Sequence, residues 1–311
     1  MITYVKGNLF QSPAKVLVNA VNTLGVMGKG IALDFKQIYP EMFREYQELC
    51  ERGQLDIGKL HLYKTPHKWI LNFPTKKHWR QPSRIEYIEK GLQTFQRLSA
   101  EKGITSAAFP PLGCGNGQLD FETQVKPLME RYLGPLPIST FIYPEKPRVG
   151  APEHADIKNI AEWLRSEPAS LPFDEVWQDL LQVLETRSDF ETAAKRGGYR
   201  VHANEDPPSL TIESAGKLYK IEQEDLLEFW QQLRDYGFTY RAIAPEHYHV
   251  SYLIPVFEQL AYVRRVVVSE SPDGLKKNTA IALQVIPPSR QVEPVLGDLF
   301  APRVHDKKAG R

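Results

Sequence analysis

Asn19-Ala20-Val21-Asn22-Thr23-Leu24-Gly25-Val26-Met27-Gly28-Lys29-Gly30-Ile31-Ala32 is the stretch on which the fold turns. A β-rich run at residues 16–20 leads into it, and a helical pattern begins at Gly30. The glycines let backbone amides approach a ligand closely, and the N-terminus of the following helix favours negative charge. A second stretch of the same build, Pro110-Pro111-Leu112-Gly113-Cys114-Gly115-Asn116-Gly117, follows a buried strand expected at residues 104–109. It feeds a helix expected at 121–132. Two such loops facing each other can grip the two phosphates of a pyrophosphate, which one loop alone would indicate only weakly.

Working outward, residues 2–6, 60–63, 69–73 and 138–143 read as further strands, and residues 30–39 and 41–52 as helices. A longer helix carries an apolar stripe at Ile85, Ile88, Leu92, Phe95 and Leu98, is opened by a capping box at Ser83-Arg84-Ile85-Glu86 and is closed by Gly103. Strands alternating with helices of this length predict an α/β fold, a mixed, mostly parallel central sheet between helices. In such sheets ligands bind beyond the carboxyl ends of the strands.

Residues 1–143 form this first domain, and the proline-bearing run at 144–152 reads as a linker. Residues 153–287 read as a helix-rich α+β domain, with helices at 157–164, 173–184 and 223–236 and strands at 219–221, 263–268 and 279–286. Residues 288–311 read as a flexible tail. The net charge of +1 conceals an asymmetry. Residues 1–143 hold 18 Lys and Arg against 12 Asp and Glu, a net of +6, whereas 144–287 hold 16 against 23, a net of −7. Ordinary surface charge accounts for this equally well. The functional alternative is that the first part meets a polyanion and the second something basic.

No apolar run approaches the roughly 18–20 residues that span a bilayer, and the start of the chain lacks the pattern of a signal peptide. The two cysteines, Cys50 and Cys114, are far apart, and neither joins a cluster with zinc-ligand spacing. A cytoplasmic protein without a metal site or membrane partner is expected. His247-Tyr248-His249 has alternating spacing but no further ligands nearby.

Familiar phosphate motifs fail on detail. No Ser or Thr follows Lys29 to hold magnesium as in a P-loop, and no Gly-x-Gly-x-x-Gly fingerprint occurs. Cys114 lacks the basic residue that a phosphatase nucleophile wants at the end of its loop, where Asp120 stands, and it reads better as a small buried residue. The third constellation is Asn72-Phe73-Pro74-Thr75-Lys76-Lys77-His78-Trp79-Arg80-Gln81-Pro82-Ser83. It is either a solvated basic loop touching phosphates or the seat of a catalytic lysine. Only roughly 0.04% of an unperturbed lysine, with a pKa of about 10.4, is neutral, and so nucleophilic, at pH 7. Neighbouring cations and partial burial enlarge that fraction. Lys76, between a strand end and Lys77 and Arg80, is the best-placed candidate. Trp79 and His78 are candidates to stack on a base or sugar.

Taken together, the opening Tyr4-Val5-Lys6-Gly7-Asn8-Leu9, the paired Asn19 and Asn22, Gly28-Lys29-Gly30-Ile31-Ala32 and Pro111-Leu112-Gly113-Cys114-Gly115 resemble a macrodomain. The run Asn72-Phe73-Pro74-Thr75-Lys76 followed by His78-Trp79-Arg80 narrows the resemblance to the antitoxins of the DarT–DarG type. The resemblance implies an enzyme that removes ADP-ribose from DNA bases without a cofactor, and a second domain that binds the cognate DarT-like toxin. The partner substrate is then ADP-ribosylated single-stranded DNA, whose modified base must be presented outside the stack. By residue, it implies Lys76 and Asn22 as catalytic, Asn22 facing the distal ribose. It implies ADP-ribose contacts from Asn8, Leu9, Asn19, Gly28, Lys29, Gly30, Ile31, Thr75, Pro111, Gly113, Cys114, Gly115, Asn116 and Gly117. Lys77, His78, Trp79 and Arg80 are the implied DNA or base contacts. Asn8 stands where many macrodomains have an aspartate on the adenine amino group. The glycine-rich run also lacks the aspartate of protein-directed macrodomain hydrolases, which gives Lys76 more weight. In the second domain, Trp177, Phe229, Trp230, Tyr236 and Tyr240 serve either an acidic, aromatic toxin-binding surface or a core. A non-catalytic ADP-ribose reader, or a purely toxin-sequestering protein, is the alternative to the enzyme.

Overall fold

Strand β2 (Val16–Asn22) is apolar at most positions and buried along nearly its whole length, the pattern of a central strand covered on both faces. A computed structural model describes residues 1–144, 157–194, 197–240, 249–269 and 279–286. In it β2 lies between β4 (Trp69–Lys76) and β5 (Ser106–Phe109), parallel to both. The six-stranded sheet has the order β1-β6-β5-β2-β4-β3, with β1 at Ile2–Tyr4, β6 at Ser139–Ile142 and β3 at His61–Lys64. Of its pairings only β3 with β4 is antiparallel.

Alternation along β2 sends Leu17 to one face and Val16 and Val18 to the other. The Leu17 face, with Ile70 and Ala108, is covered by α1 (Gly30–Ile38) and α2 (Pro40–Glu51) through Phe35, Met42, Phe43 and Tyr46. The opposite face is covered by α3 (Ile85–Glu101) and α4 (Lys126–Leu133) through Ile88, Leu92, Phe95 and Met129. The capping box expected at Ser83 does not form: Arg84 is the N-cap of α3 and makes no side-chain cap bond. Ser83 is drawn away by a tertiary contact, its backbone N–H donating to the carbonyl of Gly117 at 3.0 Å. A π-helical turn at Phe121–Val125 precedes α4, capped by Asp120, whose carboxylate accepts from Thr123 N at 2.8 Å.

Beyond residue 156 the chain builds α5 (Ile157–Ser166) and α6 (Phe173–Thr186), then an antiparallel sheet of order β10-β9-β8-β7. Its strands are β7 (Asp189–Glu191), β8 (Gly198–Glu205), β9 (Pro208–Ser214) and β10 (Lys217–Ile221). There follow α7 (Gln223–Tyr236), β11 (Phe238–Tyr240), α8 (Val250–Phe257), β12 (Val263–Ser269) and β13 (Thr279–Val285), with an antiparallel sheet of order β11-β13-β12. This half is richer in strand than expected. The outward positions Arg200, His202 and Asn204 interrupt the apolar pattern of β8, and Pro255 sits inside α8. Trp177, Phe229 and Trp230 are buried here, so they are core and not the acidic aromatic surface, while Tyr236 is exposed.

The third hydrophobic core crosses between the halves. Val26 and Trp79 from the first half pack with Leu164, Leu171, Trp177 and the interior of the second. Polar contacts follow the same seam. Arg234 on α7 donates to Glu51 at the end of α2, both side chains 3% exposed, and Lys36 on α1 meets Glu167 at 3.0 Å. Most of the expected linker, the tail at 288–311 and His247-Tyr248 lie outside the described residues. Among the described residues no helix is long and apolar enough to cross a membrane.

Candidate functional site

β4 continues past its expected end at residue 73, through Pro74 and Thr75, to Lys76. Its pairing with β2 slips by one residue, so that Val21 stands opposite Pro74 but Asn22 stands opposite Lys76. A bulge of this kind re-aims side chains at a strand end. Here it sets Asn22 and Lys76 side by side at the rim of a cavity of about 610 Å³. Such a volume is in the range of small-molecule sites, which are roughly 300–1,000 Å³.

The two glycine-rich loops form the walls. Gly30, the first residue of α1, has φ +60, a conformation that L side chains rarely adopt. Gly30, Ile31 and Ala32 border the cavity with the amide end of the helix. On the facing loop, Gly113, Gly115, Asn116 and Gly117 border it. Gly117 has no room for a side chain: a Cβ there would lie 2.1 Å from Ser83 Oγ and 2.4 Å from the carbonyl of Gly113. Asn116 spans the gap. Its side-chain amide nitrogen is 3.4 Å from where a Gly30 Cβ would sit, and its backbone carbonyl accepts from Lys76 Nζ at 3.4 Å.

Lys76 is buried, 6% exposed, and points into this space. Asn22 also lines the cavity, but both ends of its amide are committed. Nδ2 donates to Val26 O at 2.7 Å, and Oδ1 accepts from Leu24 N, Val26 N and Tyr46 Oη. Its work in this structure is to fold the turn after β2. Asn8, Leu9, Lys29, Ile31, Thr75 and Pro111 border the cavity as well. Asn8 caps a short 3-10 turn, its side chain accepting from Phe10 N at 3.0 Å. Lining residues that the sequence did not single out include Phe10, Asp34, Gln37, Ile38 and Tyr143. Tyr143 follows directly on β6, so the rule that sites lie beyond parallel strand ends was the signal available for it. Burial raises the Asp34 carboxyl above its usual range.

Several expected contacts fall elsewhere. Asn19 is fully buried beneath the sheet end and donates to Asn72 Oδ1 at 2.9 Å. Cys114 faces the core under α3 and α4, with Sγ 3.4 Å from Leu112 O. Gly28 faces the second half of the chain, where a Cβ would meet the Trp163 ring at 2.7 Å. None of the three borders the cavity.

The segment expected to meet DNA is mostly occupied too. Trp79 is completely buried and its indole N–H donates to Glu175 Oε1 at 3.1 Å, so its ring has no face left for a base. Arg80 turns to the other carboxylate oxygen of Glu175 at 2.7 Å. His78 accepts from Arg80 N and lies 3.8 Å from Asp174, leaving Lys77 as the exposed member of the run. His78, Asp174 and Glu175 offer ligand atoms within 4.8 Å of one another. Glu175 nevertheless has both oxygens engaged by Trp79, Arg80 and Arg165, so the cluster is held together as an ion-pair network.

The family profile of the macro domain matches residues 18–127. The chain is 48% identical over 148 residues to the DNA ADP-ribosyl glycohydrolase of Mycobacterium tuberculosis, covering 46% of this chain and 42% of that protein. It is 38% identical over 161 residues to a DNA ADP-ribosyl transferase–DNA ADP-ribosyl glycohydrolase fusion protein of Thermosipho africanus, covering 46% of this chain and 41% of that one. It is also 33% identical over 122 residues to an ADP-ribose glycohydrolase of Bos taurus, covering 39% of this chain and 77% of the bovine protein. The chain thus spans less than half the length of the DNA-directed relatives that it matches. On the sequence pattern, the sheet order and the two loops over its strand ends, and on a relative matched over most of its length, the chain belongs to the macro domain family.

Proposed function

We propose that the protein removes ADP-ribose from DNA by hydrolysing the N-glycosidic bond between the distal ribose and a base nitrogen. The observation that carries this reading is the seating of Lys76 inside the cavity, beside both glycine-rich loops. The sheet order supports an arrangement of subsites along the cavity. Asn8 and Tyr143 come from the β1 and β6 side, the loops after β5 and β2 occupy the middle, and Lys76 comes from β4. At ~4.8 Å per strand these ends extend over about 19 Å, which suits an elongated ligand. Adenosine lies toward Asn8, the diphosphate on the amides of residues 29–31 and 113–117, and the distal ribose at Lys76.

Held by its diphosphate, the ribose is oriented for reaction, so much of the acceleration comes from positioning. Lys76 acts either by attack at C1″ in its neutral form or, as a cation, by stabilising the negative charge that develops on the departing base as the C1″–N bond breaks. Water supplies the hydroxyl that ends on C1″ and the proton that ends on the departing base. Asn22 contributes by shaping the turn after β2. The identity with DNA-directed glycohydrolases supports DNA as the substrate class. The commitment of the Asn22 amide to its own turn favours the alternative of a non-catalytic reader. One assay separates the two: incubate the full chain with an ADP-ribosylated single-stranded oligonucleotide and quantify free ADP-ribose. Binding without release reduces the protein to a reader.

The second half, acidic by seven charges over residues 144–287, is proposed to bind the DarT-like transferase that makes the substrate. The fusion of transferase and glycohydrolase in the Thermosipho africanus relative supports this pairing. Calorimetry of the full chain against such a transferase tests it. Electrostatic steering predicts slower association as the Debye length falls toward about 8 Å and below with added salt. No heat of binding at any salt concentration would remove the toxin from the proposal.

A further inference from the structure

We infer that Glu175, from the second half of the chain, is a positioning residue for Lys76, so the hydrolytic site is completed across the seam. The inference rests on the reading of Lys76 as the chemical residue. Glu175 sits in the first turn of α6 and its side chain is entirely buried. It accepts from Trp79 Nε1 at 3.1 Å and from Arg80 Nη2 at 2.7 Å, three and four residues after Lys76. Arg165 Nη2 approaches the same oxygen as Arg80 at 3.5 Å and is itself anchored on Asp179. Asp179 in turn accepts from Tyr262 Oη at 3.0 Å. The chain leaving β4 is therefore tied to the interior of the second half by a continuous set of charge-assisted bonds, which are shorter and stronger than neutral ones.

A second tie acts from the other loop. Thr23 donates through its backbone N and its hydroxyl to the carbonyl of Lys77 at 3.2 and 2.9 Å, joining the turn after β2 to the segment after β4. That turn is packed in the same cross-seam core through Val26 and lies against Trp163 at Gly28. Lys76 is thus bracketed. Behind it the β2–β4 register holds the strand, and ahead of it Glu175 holds Trp79 and Arg80. Misplacing a reacting group by about 1 Å can cost on the order of a hundredfold in rate. Loss of one bracket of two is expected to have a smaller effect.

The test uses the full chain and two variants. Trp79→Phe removes the indole donor and keeps an aromatic ring, while Glu175→Gln keeps an acceptor for Trp79 and removes the charge that holds Arg80. Each is expected to lower kcat on ADP-ribosylated oligonucleotide about tenfold, with ADP-ribose affinity within about twofold. Each is also expected to raise amide hydrogen exchange at residues 75–78. Glu167→Ala, which breaks the Lys36 pair on the same seam, serves as the control with basal turnover. Folded variants with normal turnover and exchange overturn the inference. So does an equal loss of turnover and ADP-ribose affinity, which a general loosening would produce. Should the wild-type chain release no ADP-ribose, the hydrolytic reading falls by itself, and the exchange at 75–78 alone decides whether Glu175 positions Lys76.

Discussion

The two halves of the chain use sheet in opposite ways. In the first, the central parallel strands are buried, and the end of β4 and the loops beyond β2 and β5 converge on one cavity. In the second, antiparallel strands alternate inward and outward residues, as β8 does with Tyr199 and Val201 inside and Arg200 outside, and two-residue turns join β8 to β9 and β9 to β10. A parallel sheet gathers its chemistry at one edge because its crossovers return every strand in the same direction. The antiparallel half has no such edge. What it supplies to the site is burial, through Glu175, Trp163 and the core that takes in Val26 and Trp79. The halves differ in pattern yet share an interior.

The strongest way to break that comparison is to cut the buried ion pair on the seam. Arg234→Ala leaves the nearly buried Glu51 carboxylate with Gln231 Nε2 at 2.8 Å but no counter-charge, and is expected to cost about 3–5 kcal/mol. If the interior is shared, calorimetry should record one unfolding transition shifted down in temperature. Two separated transitions, or an unchanged midpoint, would show the halves to be independent.

Next in size is Lys76→Ala. Turnover should fall at least about a hundredfold, roughly 2.7 kcal/mol on the barrier. ADP-ribose affinity should stay within about tenfold, roughly 1.4 kcal/mol, because the loops supply most ground-state binding. Near-normal turnover would make Lys76 a bystander and hand the chemistry to another cavity residue.

Gly115→Glu places bulk and like charge where the diphosphate is expected. Titration calorimetry should show ADP-ribose affinity lower by about tenfold or more, about 1.4 kcal/mol, with little change in melting. An unchanged affinity would move the diphosphate off residues 113–117. The smallest effect is expected from Gly28→Ala, where the new methyl meets the Trp163 ring. Overpacking of this kind costs about 1 kcal/mol or somewhat more where the neighbour cannot shift. A drop in thermal stability without loss of ADP-ribose affinity would sharpen the assignment of Gly28 to the seam. The reverse result would return it to the phosphate site.

Much of the first half was legible because its signals are local. A strand, a glycine-rich turn and a helix are each encoded in adjacent residues, so both loops and the mostly parallel sheet followed from the sequence. The exceptions are informative. Ser83 carries the signature of a helix cap, but its backbone is claimed by Gly117, a contact 34 residues away. Trp79, beside Lys77 and Arg80, looks like a ligand-facing aromatic, and no local feature betrays that Glu175, 96 residues on, accepts its N–H. In the second half, β7 to β9 were missed because one face of each strand is solvated, and the outward residues break an apolar run into unconvincing pieces.

By itself, then, the amino-acid sequence determined the α/β class, the two glycine-rich loops, the candidacy of Lys76 and the opposite charge of the two halves. These depend on residue type and spacing along one stretch of chain. Only the tertiary structure decided that a slip in β2–β4 pairing sets Asn22 opposite Lys76, and that Asn19, Gly28 and Cys114 serve the core or the seam. It alone decided that Trp79 and Arg80 close on Glu175. Register and burial are settled by partners distant in the chain, where the cost of leaving a buried polar group unpaired outweighs any local preference.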